Sequence, residues 1–370
     1  MRTAVMALLL LAGAAGWATE LRHAKCFTVE RKDGYKLVEV ANAWKGCGDT
    51  FTYALVPRGA KAPEGLPPKT MVVEVPVRNV ALLSTTDVGF MESLGLLDKI
   101  AGGSNLELVN SAALRARIAR KQVVEVGGGS SAGDTVNMEK LYALRPELVM
   151  TYAYGTPSFD SYPKLTEAGF KVVLSASYME PTPLGRAEWV KFAALFFGRE
   201  AEAEAAFAKV ERGYLATKAK AAAAKTRPAV FCNIAFKGSW YMSGGGGFLA
   251  ALLADANADY LWKDVKGDGS AALSFEAVLA KAANADFWVN VGSCKSRREL
   301  LGQDNRHSLF KAFRDGQVYN CDAKTSPGGG NDFFELGVAR PDLILADLAA
   351  IFHPELFPDH PTLFYRKLPE

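Results

Sequence analysis

The sequence predicts a two-lobed α/β protein, each lobe a parallel sheet flanked by helices, with one long helix between them and a β-rich extension in front. Three observations carry this. Strand-like and helix-like segments alternate through residues 71–184 and again through 226–370, and such alternation builds parallel sheets covered on both faces. Between the two runs lies the longest helical pattern of the chain, over residues 185–225. Before the first run, within an extension over residues 19–70, residues 25–56 alternate with period two instead.

The elements follow in order. CFTVERKDGYKLVEV alternates around Asp33-Gly34, a favoured two-residue hairpin turn, and FTYALVP reads as a further strand. RGAKAPEGLPPK is a Pro/Gly linker. TMVVEVPV and VALLS read as strands that open the first lobe, followed by a helix over TDVGFMESLGLLDKI and a strand at QVVEVG. NMEKLYALR is a helix stopped by Pro146, ELVMTYA a strand, SYPKLTEAG a helix and FKVVLSA a strand. In the connector, Trp189, Phe192, Ala193, Phe196, Phe207, Val210 and Tyr214 recur at helical spacing, and Gly198 bends or punctuates the pattern. The second lobe repeats the alternation: PAVFCNIAF, ADFWVNVG and QVYNC as strands; GGFLAALLADAN, SFEAVLAKAAN, RRELLG, HSLFKAFRDG and RPDLILADLAAIFHP as helices.

Length and composition agree with a packed protein of more than one core: 370 residues, 49% hydrophobic and 22% charged. Lys+Arg (43) and Asp+Glu (40) nearly cancel, the net charge is +3, and no basic block exists, so nucleic acid is not an expected partner. Arg2, the apolar run AVMALLLLAGAAG and the small residues Gly16 and Ala18 read as an export signal over residues 1–18, cut after Ala18. The run is too short to span a bilayer. Cys26 follows Lys25 rather than the small residues, so a lipid-anchored end is not expected. The mature chain is expected to be secreted, periplasmic, soluble and monomeric. Outside the cytoplasm disulfides persist; of the five cysteines, Cys26 and Cys47 flank the hairpin and are the candidate pair, with Cys294–Cys321 a weaker choice.

The enzyme readings are thin. There is no CxxC, the four histidines are scattered, and no GxSxG elbow is present. SGGGGFLAALL puts Gly244–Gly247 before a helix, as a phosphate cradle would, but lacks the GxxxxGK[ST] pattern; a tight strand-to-helix turn needing close backbone approach is the better explanation of the glycines. The loops TYAYGTPSF, AFKGSWYMSGGGG and KTSPGGGNDFFELGVARPD say more. They fall at strand ends, where open α/β sheets bind ligands, and combine glycine with aromatics from both halves. A shared aromatic cleft is expected from Tyr152, Tyr154, Trp240, Tyr241, Phe333 and Phe334, with Asp332, Glu335, Lys237, Lys324 and Arg340 available for polar contacts. Finally, VNMEKLYALRPELVMTYAYG and LSFEAVLAKAANADFWVNVG repeat one unit: an acid in a first helical turn, a break, a strand and a loop. Glu139 and Glu276 each suit a helix start. As a pair, one per lobe, they suit a partner with two-fold symmetry.

These residues carry a resemblance. VNMEKLYALRPELVMTY, LSFEAVLAKAANADFWV, SGGGGFLAALLADANADYLW and VARPDLILADLAAIFHPELFP, in this order and spacing, resemble the substrate-binding proteins of ABC importers whose Rossmann-like lobes are joined by one long helix. That class serves ferric siderophores, haem and vitamin B12. The resemblance covers the chain after about Thr70. It implies binding without catalysis and without a resident cofactor, and docking of Glu139 and Glu276 on arginines of a two-subunit membrane permease. It also implies ligand contacts from Tyr152, the Trp240–Tyr241 loop and NDFFE. The expected ligand is a bulky metal chelate, of ferric siderophore type first, a corrinoid such as cobalamin second. The extension and the scarcity of cleft arginines depart from the pattern. An α/β enzyme using Gly244–Gly247 for a phosphorylated substrate is the rival reading.

Overall fold

A computed structural model describes residues 20–127 and 136–370. The signal sequence expected over residues 1–18 lies outside them. Gly34, at φ +79°, takes the left-handed backbone that the two-residue turn needs, and joins β1 (Phe27–Lys32) to β2 (Tyr35–Ala41) with Lys32 opposite Tyr35. β3 (Thr50–Pro57) pairs antiparallel with β2, and β4 (Met71–Val75) pairs parallel with β3. The sheet order is β1-β2-β3-β4. The strand at Met71–Val75 therefore completes the extension's sheet and does not open the first lobe, because Pro76 has no N–H to continue the ladder and the chain restarts in a new sheet at Val80.

The N-lobe runs β5 (Val80–Leu82), α1 (Thr85–Ser93), β6 (Ile100–Gly103), α2 (Ala112–Ala119), β7 (Val124–Glu125), α3 (Met138–Leu144), β8 (Leu148–Thr151), α4 (Tyr162–Glu167) and β9 (Val172–Leu174). All five strands are parallel, in the order β7-β6-β5-β8-β9. The chain winds one way from β5 and then the other way from β8, so a topological switch point lies between these two strands. Side chains alternate across the sheet: Ala81 and Leu83 pack with Val126, Leu141, Val149 and Leu165 on one face, while Val80 and Leu82 join the main core on the other.

The connector is not one helix. α5 (Pro183–Ala187) and α6 (Trp189–Leu195) precede α7 (Glu200–Ala221), and Gly198 at φ +65° breaks the path between the last two. Every residue of α6 is buried, whereas α7 buries one stripe that includes Phe207, Val210 and Tyr214. Only the 22-residue α7 has the length expected of a rigid link.

The C-lobe contains β10 (Ala229–Cys232), β11 (Ala235–Phe236), β12 (Ser239–Ser243), α8 (Phe248–Asp255), β13 (Asp259–Tyr260), β14 (Ser270–Leu273), α9 (Phe275–Ala282), β15 (Phe287–Val289), α10 (Arg297–Gln303), α11 (Lys311–Arg314), β16 (Val318–Asn320), α12 (Leu336–Ala339), α13 (Pro341–Phe352) and β17 (Arg366–Lys367). Its main sheet is β13-β10-β15-β16-β17, parallel except for β17. A side sheet β11-β12-β14 is antiparallel. One continuous buried cluster runs through extension, connector and both lobes.

The extension is also tied down by two buried carboxylates. Glu188 accepts the backbone N–H groups of Arg22, His23 and Ala24, and Glu180 those of Lys25 and Cys26. Such bonds compensate the desolvation of an acid. The expected Cys26–Cys47 disulfide is absent: all five cysteines are free. Cys26 is sunk beside Glu180, with burial pushing its thiol up to about 12, while Cys47 sits half-buried in the loop after β2 with its thiol on Asp49 O (3.5 Å). Cys294 and Cys321 are likewise unpaired.

Candidate functional site

The carboxyl ends of β5, β6, β8 and β9 deliver Ser84–Asp87, Asn105, Tyr152 and Tyr154, and Ser175, Ser177 and Tyr178 to one cavity of about 490 Å³. This is the position the switch point dictates, and the size falls in the usual range of small-molecule sites. Ser84 caps α1, its hydroxyl accepting Thr86 N–H (3.3 Å). Asp87 follows in the first turn and is 1% exposed. Its Oδ1 accepts the Ser175 hydroxyl (2.8 Å), while Oδ2 has no hydrogen-bond partner among the described residues. Burial pushes the Asp87 carboxyl up to about 7, only partly offset by Ser175.

Three tyrosines form the aromatic wall. Tyr154 meets Tyr152 edge-on at 5.2 Å and Tyr178 at 5.6 Å between ring centres. The loop that carries the first two is held from inside by Asp160, whose carboxylate accepts Tyr154 N–H (2.8 Å) and Thr156 N–H (2.9 Å). The Tyr178 hydroxyl donates to Ala153 O (2.5 Å) and lies 3.2 Å from Ala43 O in the extension. Burial raises the pKa of all three phenols, Tyr152 to about 12, so they stay neutral donors.

The opposite wall comes from the C-lobe: Gly329, Gly330, Asn331 and Phe334. This segment is strapped to the N-lobe. A Cβ on Gly330 would stand 1.8 Å from Leu108 O, and one on Gly328 2.3 Å from Glu107 O, so main chain rests on main chain. Ser326 Oγ donates to Glu107 O (3.0 Å) and Thr86 Oγ1 to Phe334 O (2.8 Å). Glu335, 1% exposed, accepts Asn110 N–H (2.7 Å) and Ser111 N–H (2.8 Å). Burial pushes its carboxyl up to about 7 against the pull of those two bonds.

Among the described residues the lining contains hydroxyls, amides, aromatics and one acid, and no Lys, Arg or His. Nor, among those residues, do three His, Cys, Asp or Glu side chains gather in a way that could hold a metal ion.

Of the residues singled out in the sequence, Tyr152, Tyr154 and Phe334 line this cavity. Asp332, Phe333 and Glu335 lie behind its wall: Asp332 pairs with Lys324 (2.7 Å), Phe333 is 3% exposed, and Glu335 is the strap just described. Trp240 is a correction. It is fully buried in the C-lobe core against Phe231, Trp288 and Phe310, and donates its indole N–H to Cys232 O (2.9 Å). Its neighbour Tyr241 points out of the side sheet, 46% exposed, and does not line the cavity. The strand β12 alternates, and the alternation decides which of the two rings is core. Asp87, Ser175, Ser177 and Tyr178 were missed. Tyr178 was within reach of the rule that found Tyr152, since it also follows a strand at its carboxyl end.

The phosphate-cradle reading of the glycine loop is closed off. Gly244, Gly245, Gly246 and Gly247 spend their N–H groups on Gly269, Val265, Gly267 and Gly244 carbonyls, and a Cβ on Gly245 would stand 1.8 Å from Lys263 O. The two repeated acids are exposed at equivalent helix starts. Asn137 caps α3 before Glu139 and Ser274 caps α9 before Glu276. Glu276 pairs with Arg306 (2.8 Å).

Comparison with known proteins agrees with this architecture. The family described as periplasmic binding protein matches residues 80–325. An uncharacterized lipoprotein of Methanocaldococcus jannaschii is 30% identical over 326 residues, 84% of this chain and 73% of that protein. A crystal structure of a periplasmic binding protein from Veillonella parvula superposes with a TM-score of 0.58 at 17% identity, covering 89% of this chain and 98% of that one. A periplasmic heme binding protein from Pseudomonas aeruginosa gives 0.57 at 21%, covering 80% and 99%. The two structural likenesses show the fold.

Proposed function

Because the chain belongs to the periplasmic binding protein family, we propose that it is exported, captures a bulky metal chelate in the cleft between its lobes and delivers it to a two-subunit ABC permease. Proteins of this family bind solutes and are not enzymes; they work with ABC permeases. The observation that carries the ligand class is the cavity's chemistry. Hydroxyl and aromatic groups surround a buried acid, and no cation lines it among the described residues. An anionic catecholate or carboxylate chelate would leave charge unpaired there, which costs several kcal/mol. We therefore favour a chelate of zero or positive charge, a hydroxamate-type ferric siderophore, with a corrinoid as the second reading. The metal would stay inside its chelate, in keeping with the lack of a protein ligand set among the described residues.

Glu139 and Glu276 are the proposed docking acids, one per lobe, and as exposed rim charges they would set orientation and association rate. The test is thermal unfolding of the mature protein with ferrioxamine B, cyanocobalamin, haem and ferric enterobactin. A ligand that binds only the folded state adds about 2.7 kcal/mol at a hundredfold excess over Kd. The expected result is a raised Tm with ferrioxamine B or cyanocobalamin and none with the trianionic enterobactin complex. A shift with ferric enterobactin alone overturns the charge argument.

A further inference from the structure

The residues between β2 and β3 belong to the extension, outside the matched family region, yet they pack behind the loops that line the cleft. Gly155, at φ +76°, closes the turn after Tyr154, and a Cβ there would stand 2.4 Å from Cδ1 and Nε1 of Trp44. The indole thus rests directly on the main chain of the tyrosine loop. It is braced by Phe51 (5.7 Å) and by Tyr162 at the start of α4 (5.8 Å). One residue earlier, the buried Ala43 presents its carbonyl to the Tyr178 hydroxyl (3.2 Å). One residue later, Lys45 Nζ stands 3.1 Å from where a Cβ of Gly269 would sit, on the C-lobe side. Three consecutive residues therefore touch two of the ligand-facing tyrosine segments and the opposite lobe.

We propose that Trp44 is a positioning residue for the ligand site, fixing the Tyr152–Tyr154–Tyr178 wall from behind, so that the N-terminal extension tunes ligand affinity. This rests on the cleft being the binding site, as proposed above. Trp44 does not line the cavity; it acts through Gly155 and Tyr154. Loops that hold an aromatic wall need such support, because a wall loosened by an ångström loses preorganisation and with it affinity. Trp44 supplies the area, and the missing side chain of Gly155 lets the ring approach.

The experiment compares the wild-type mature chain with Trp44→Ala and Trp44→Phe in two arms. The first is amide hydrogen exchange without ligand. The second is titration with ferrioxamine B and cyanocobalamin. In Trp44→Ala, exchange over residues 152–160 should rise about tenfold while the β1–β2 hairpin stays protected, and affinity for whichever probe binds wild type should fall about tenfold. Trp44→Phe should recover most of both. Unchanged exchange over 152–160 overturns the proposal, as does wild-type affinity in Trp44→Ala. If neither probe binds wild type, the ligand reading fails for them, and the exchange arm alone still decides the positioning role.

Discussion

The two lobes build facing walls of one cleft by different means. The N-lobe wall is side chains: three tyrosines, serines, threonines and a buried acid at the ends of parallel strands. The C-lobe wall is largely main chain, residues 326–335 pressed onto Glu107 and Leu108 with Phe334 at its edge. The C-lobe's own large aromatics, Trp240 and Trp288, are spent on its core. On the proposed function, selectivity lies in the N-lobe and position in the C-lobe.

Gly330→Ala should break this division most severely. Its Cβ would strike the Leu108 carbonyl, and neither backbone can yield cheaply, so a loss of about 3 kcal/mol is expected by chemical denaturation, with exchange rising across residues 326–335. Asp87→Asn should act in the other lobe with opposite sign. In the unfolded chain this carboxyl ionises near its ordinary value, below 4, but in the folded protein only near 7. Between those values the native state holds a proton that the unfolded state has lost, so stability falls as pH rises from about 4 to about 7. Glu335 adds a decline of the same sign. Asp87→Asn should therefore flatten the pH profile of stability in part and raise stability at pH 8 by about 2 kcal/mol, less than the full linkage because the new amide must find partners.

A sharper test pairs one tyrosine from each lobe. Tyr154→Ala should weaken binding of the active chelate about tenfold, or about 1.4 kcal/mol, and Tyr241→Ala should leave it unchanged, by titration calorimetry. The smallest effect on stability, under about 0.5 kcal/mol, is expected for Glu139→Ala and Glu276→Ala, since both side chains are exposed. Their asymmetry should appear in uptake instead. On the proposed docking, Arg306 already engages Glu276, so a permease arginine would gain less there, and Glu139→Ala should lower uptake more.

Much of the architecture was legible in the sequence, because hydrophobic period, glycine and proline report local geometry directly. Asp33-Gly34 marked the hairpin, and the segments at β5, β7, β8 and β9 marked the parallel sheet, while β6 and α2 went unread because the helix pattern ran on through Ile100. What failed depended on contacts distant in sequence. Whether Met71–Val75 joins the extension or the lobe is decided by β3, which it pairs with, and not by its own residues. Cys26 and Cys47 are close in sequence, but Cys26 is drawn beside Glu180, some 150 positions on. At the site, the strand-end rule located Tyr152 and Tyr154, while Asp87 was invisible because an acid after a capping serine reads as an ordinary helix start. Trp240 misled for a related reason: a glycine-rich surrounding suggested a loop, and the short strand β12 turned the ring inward.

The strap between residues 326–335 and the N-lobe has a consequence in time. On the proposed function, the lobes are already joined at Glu107, Asn110 and Ser111, so a ligand should have no large hinge step to wait for. The observed association rate should then climb in proportion to ligand concentration without levelling off, as for a single bimolecular encounter.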